Sequence, residues 1–110
     1  MSGANFDLTD DTAILKINSP QNSVGGPYRV VYKDIVDRWA IVALDWNGEP
    51  RLGIRWFWDS KGNPLSTGYP IWFVMPTPLY KSTLNGLPLT LEARNEIEKF
   101  LLGEINGSQL

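Results

Sequence analysis

Arg51, Arg55 and Phe57 stand at alternate positions of one short apolar segment, Arg51-Leu-Gly-Ile-Arg-Trp-Phe-Trp-Asp59. In a strand, alternate side chains share a face, so Leu52, Ile54, Trp56 and Trp58 point one way and Arg51, Gly53, Arg55, Phe57 and Asp59 the other. The first set is a core face. The second puts two guanidinium groups beside an aromatic ring, with a gap at Gly53. Such a face stacks planar groups and holds anions. Arg38 and Trp72, on neighbouring strand segments, extend it. Arg38, Arg51, Arg55, Phe57 and Trp72 are therefore the candidate binding residues. The same residue types serve a small anionic ligand, a single-stranded nucleic acid or a protein interface, where Trp, Tyr and Arg are enriched. They also serve a plain solvated face, with the arginines paired to Asp34, Asp37, Asp45 and Asp59 across strands.

Enzyme chemistry has little to draw on. The chain has no histidine and no cysteine, so acid–base work would fall to carboxylates, Lys or Tyr. Asp34, Asp37, Asp45 and Asp59 are the carboxylates on strand-like segments. Asp45 and Asp59 sit beside turns, where Asp commonly accepts from backbone N–H groups. No P-loop, dinucleotide fingerprint, nucleophile elbow or EF-hand spacing occurs. Lys81 and Ser82 are adjacent and diverge on a helix, so they do not form a nucleophile–base pair. No catalytic residue, metal ligand or cofactor is assigned.

The elements that position these residues follow from periodicity and breakers. Asn18–Pro27 is dense in Gly, Pro and Asn and reads as a loop. Tyr28–Val36, Arg38–Trp46, Arg51–Asp59 and Tyr69–Met75 read as strands, with Thr12–Ile17 as a further short one. Tyr28, Val30 and Tyr32 are expected on one face of the first, opposite Arg29, Val31 and Lys33. Asn47-Gly48 between apolar runs is a strong hairpin signal, and Ser60–Pro64 is a second turn cluster. Thr77-Pro78 opens a short helix to Asn85. Thr90 caps a longer one, Leu91–Leu102, stopped by Gly103, with Ala93, Ile97, Phe100 and Leu101 as its apolar stripe. The expected fold is α+β: an antiparallel meander of four or five strands with the C-terminal helix packed on one face.

The chain has 110 residues and a net charge of −2, which fits a single domain burying roughly 65% of its unfolded surface. Residues 1–11 are read as a flexible acidic arm, 12–103 as the domain and 104–110 as a flexible tail. The arm carries −3, residues 12–90 carry +3 and residues 91–110 carry −2. That balance lacks the basic footprint of a duplex-DNA binder and disfavours nucleic acid as a partner. No apolar run approaches the ~18 residues of a membrane span. The opening residues lack a basic and apolar leader, and a chain without cysteine fits a reducing compartment, so a cytoplasmic location is expected.

Five tryptophans are many for this length. A sheet with helix on one face leaves apolar surface on the other, and such surface marks a partner or a ligand cleft. The function expected is a non-catalytic binding or interaction module, self-associating as a two-fold dimer, that uses the Arg- and aromatic-bearing sheet face. The alternatives are a small enzyme or ligand-binding cup built from carboxylates, Tyr and Arg, and single-stranded nucleic-acid binding.

Overall fold

A computed structural model describes residues 8–57 and 71–110. The expected roles of residues 1–7, Trp58, Asp59, the Ser60–Pro64 turn and Tyr69 lie outside the described residues. Four antiparallel strands form one sheet in the order β1-β2-β3-β4: β1 Val24–Asp34, β2 Trp39–Trp46, β3 Glu49–Trp56 and β4 Phe73–Val74. Sequential neighbours pair throughout, giving the α+β meander that the alternation predicts. No helix among the described residues is long and apolar enough to cross a membrane.

Turn chemistry sets the registers. Asn47 and Gly48 both take positive φ, 52° and 84°, and close a two-residue hairpin between β2 and β3. That is the conformation for which Asn-Gly is selected, because its twist matches the flanking strands. Between β1 and β2 the chain turns through residues 35–38, and Asp34 Oδ1 accepts the Asp37 N–H at 2.8 Å. The register of β1 slips twice, between Gly25 and Arg29 and between Val30 and Tyr32, and breaks the simple alternation expected there. Val30 packs on one core, while Val31 and Tyr28 belong to the other. An inserted residue shifts the side chains beyond it to the opposite face, and composition gives no sign of the insertion.

Both faces of the sheet are covered. On one side Ile41, Ala43 and Leu52 meet Tyr80 and Leu84 of α2 (Tyr80–Gly86) and Ile97 and Phe100 of α3 (Leu91–Leu101). The α3 helix starts as read, with Thr90 Oγ1 accepting the Ala93 N–H at 3.0 Å. It ends in a Schellman arrangement: Glu104 N–H donates to Lys99 O at 2.8 Å and Gly103 N–H to Phe100 O at 3.0 Å, with Gly103 at φ 79°.

On the other side Ala40, Val42 and Leu44 meet Leu8, Ile14, Ile17, Phe57 and Trp72. Here the expectations need correcting. The segment read as a strand at Thr12–Ile17 is helix α1, Asp11–Leu15, capped by the Asp10 carboxylate, which accepts the Thr12 N–H at 2.9 Å. An Asp able to cap, Asp10, followed by apolar residues at i, i+3 spacing, Ile14 and Ile17, is a helix-start pattern. Leu8, assigned to the acidic arm, is buried. With α1 in place the second sheet face is covered, and Ala40–Leu44 of β2 are buried without interruption.

The tail expected at 104–110 is also built into the domain. Asn106 and Gln109 form a reciprocal capping box around the 3₁₀ turn Gly107–Gln109. Gly107 lies flat against the Tyr28 ring, so closely that a Cβ there would overlap Tyr28 Cδ2.

Candidate functional site

The five residues singled out in the sequence do not share one exposed face. Arg55 is 3% exposed, Phe57 0% and Trp72 3%. They form one buried cluster at the end of β3. The Phe57 and Trp72 rings meet edge to face, with centroids 6.3 Å apart at 78°. The Arg55 guanidinium lies 5.2 Å from the Phe57 centroid. Arg55 Nε donates to Trp56 O at 3.0 Å and Nη1 to Ile71 O at 2.9 Å. Burial lowers the pKa of Arg55 from its ordinary value. A guanidinium still remains charged at physiological pH, and carbonyl oxygens are apt partners for it.

The gap at Gly53 is real, and the protein fills it. A Cβ at position 53 would stand 2.8 Å from Leu44 Cδ2 and 3.2 Å from Trp72 Cβ. Trp72 lies over the glycine, and its indole N–H donates to Ile17 O at 2.7 Å. The chain's own Trp72 thus occupies the space that a planar ligand would need. Arg38 belongs to the β1–β2 turn at φ 59°, and its carbonyl accepts the Phe57 N–H at 2.7 Å. Arg51 stands apart, bonding Glu49 Oε1 at 3.1 Å and Pro50 O at 2.8 Å. Its ion pair is made two residues away rather than across the sheet, and Arg29–Glu96 and Lys33–Asp11 also pair among the described residues.

Concave surfaces among the described residues lie elsewhere, and two of them carry aromatic or apolar side chains together with charged ones. The first is a cup of about 440 Å³ between the β2–β3 turn and the C-terminal segment, lined by Tyr28, Asp45, Phe100, Glu104 and Gly107 among others. Tyr28 Oη–H donates to Asp45 Oδ2 at 2.6 Å. That bond to a carboxylate, with desolvation and the Asp45 charge adding to it, pushes the Tyr28 pKa up to about 12. The phenol is therefore neutral at physiological pH and holds the carboxylate in place.

The second is a groove of about 490 Å³ between α2 and the C-terminal end of α3. Tyr80, Leu84 and Leu101 make its apolar lining. Tyr80 is anchored beneath, its hydroxyl accepting the Leu52 N–H at 3.3 Å, and burial raises its pKa. Leu102, just past the last helical residue, is 74% exposed at the rim. Leu79 is exposed beside Pro78 and Tyr80. Lys81 and Glu98 also line the groove. Sequence reasoning passed over this site. Its trace was Tyr80 and Leu84 at helical i, i+4 spacing and a leucine at position 102, where the stripe of α3 already ended.

No family model matches the chain, and no curated protein or solved structure matches it well enough to place it beside a relative. The geometry of the two concave surfaces is therefore the guide to what the chain does.

Proposed function

We propose that this chain is a non-catalytic interaction module whose docking surface is the α2–α3 groove. The observation that carries the proposal is an apolar lining of Tyr80, Leu84 and Leu101 flanked by Leu102 at 74% exposure. An exposed leucine alone is ordinary. Exposed leucines bordering an apolar concavity form the kind of surface that partners cover. The Arg- and aromatic-bearing cluster serves the module as architecture, closing the sheet on the α1 side.

The test uses the fluorescent apolar probe ANS with folded, dilute protein. The native chain should enhance ANS fluorescence saturably at about one site, and Leu102→Glu should abolish the enhancement while the circular dichroism spectrum stays native. No enhancement, or enhancement unchanged in Leu102→Glu, overturns the assignment.

A second reading, a small-molecule cup, is favoured by the cavity around Tyr28 and Asp45. Its lining includes two carboxylates, Asp45 and Glu104, and the Tyr28 and Phe100 rings, which suit a small organic cation. Amide shifts confined to residues 103–108 on adding a simple alkylammonium, lost in Asp45→Asn, would support it. An unshifted spectrum discards it.

A further inference from the structure

We infer that the occupant of the α2–α3 groove is a second copy of this chain, docked about a two-fold axis so that Lys81 of each copy meets Glu98 of the other. The inference rests on the groove's being the docking surface and names what fills it.

The argument starts from charge. Lys81 on α2 and Glu98 on α3 both line the groove. Neither forms an ion pair with the other, or with any other described residue. Elsewhere two described ion pairs join separate elements, β1 to α3 through Arg29–Glu96 and β1 to α1 through Lys33–Asp11, and a third, Arg51–Glu49, lies within β3. The groove therefore presents a cation and an anion, uncommitted and apart, around an apolar lining.

A partner of one charge sign would leave one of them facing a like charge or nothing. A patch carrying both signs around an apolar centre is complementary to itself. In a two-fold interface residue i meets residue j and residue j meets residue i, so one Lys81–Glu98 relation is made twice. The apolar parts fit the same operator. Leu102 projects from one rim and the Tyr80–Leu84 lining recedes beside it. Each copy thus offers one projecting leucine and one apolar hollow. Charge at the rim with apolar contact at the centre is the usual anatomy of such interfaces.

The test exploits the doubling. Lys81→Glu makes both groove charges negative, and Glu98→Lys makes both positive. Lys81 is exposed and Glu98 half-buried, and each substitution keeps a good helix former in place, so both variants should fold. Native mass spectrometry over a dilution series should find the wild type dimeric. Each single variant should dissociate at concentrations about tenfold higher or more, since two attractive pairs become two repulsive ones. An equimolar mixture of the two variants, one of them labelled uniformly with nitrogen-15, should recover the dimer, read by its mass as one copy of each. In that heterodimer both pairs are again opposite in charge. The introduced glutamate meets the introduced lysine, and the native Glu98 of one copy meets the native Lys81 of the other.

A wild type that stays monomeric at every concentration overturns the inference. So do single variants that dimerise like the wild type, or a mixture that does not recover the heterodimer. A monomer that still binds ANS in a Leu102-dependent way leaves the groove as a docking surface for a different protein and removes only the second copy. A monomer that binds no ANS removes both.

Discussion

Adding one methyl group at Gly53 measures how tightly Trp72 closes the sheet. The Cβ of Gly53→Ala would lie 2.8 Å from Leu44 Cδ2 and 3.2 Å from Trp72 Cβ. Leu44 is fully buried and Trp72 is pinned by its indole bond to Ile17 O. Neither can withdraw without disturbing the α1-side core. Forcing a methyl into such a site costs about 1–3 kcal/mol. Replacing glycine in a strand returns about 0.5–1 kcal/mol through lower unfolded-state entropy. The net expectation is a loss of about 0–2.5 kcal/mol, or a Tm drop of up to roughly 12 °C for a domain near this size. Urea unfolding followed by tryptophan fluorescence, with thermal melts by circular dichroism, reads both. Combining Gly53→Ala with Leu44→Ala should shrink the penalty of the alanine, because Leu44 Cδ2, the atom nearest the added methyl, is gone. A Gly53→Ala protein more stable than the wild type, or an equal penalty in the Leu44→Ala background, would refute the close packing over Gly53.

Two further outcomes depend on single hydrogen bonds. Trp72→Phe leaves the Ile17 carbonyl without its indole donor and should cost at least about 1–3 kcal/mol in urea unfolding; a loss of only a few tenths would mean that this carbonyl finds another donor. Tyr28 has a folded-state pKa raised from 10.0 to about 12, so its bond to Asp45 contributes stability fully present below pH 10 and lost as pH rises towards 12. Tyr28 is partly exposed, so screening discounts that contribution to about 1 kcal/mol; unfolding at pH 9 and 11.5 should show that loss in the wild type and not in Tyr28→Phe, and an identical loss in both would deny the bond its role.

The β2–β3 hairpin and α3 were legible because their signals are local, whereas β1 begins at Val24, inside the Asn18–Pro27 segment read as a loop. Asn47-Gly48 has its own turn geometry, and Thr90 caps α3 through a bond three residues away. Of the described residues of the segment 51–59, Leu52 and Ile54 pack on one core and Phe57 on the other, as the alternation expects. What could not be read was what lies over the face that carries Phe57. Trp72 reaches Ile17 across 55 positions of chain, and no periodicity encodes such a meeting. The glycine gap and the aromatic residues that suggested a ligand were instead the two halves of a packing arrangement within the chain. The bulge in β1 and the seating of Gly107 on Tyr28 were hidden for the same reason, since each depends on a long-range neighbour. The groove stayed hidden because its residues look like ordinary amphipathic helix positions until α2 and α3 are set side by side.

The placement of β2 bears on how substitutions combine. Ala40, Val42 and Leu44 point into one core, Ile41 and Ala43 into the other, and the clusters share no buried side chain. One strand is thus a common wall between two thin interiors. Damage on the α1 side and damage on the α3 side have no atoms in common through which to compensate, so their costs should sum. Neither interior can be lost alone without exposing the back of the wall that supports the other.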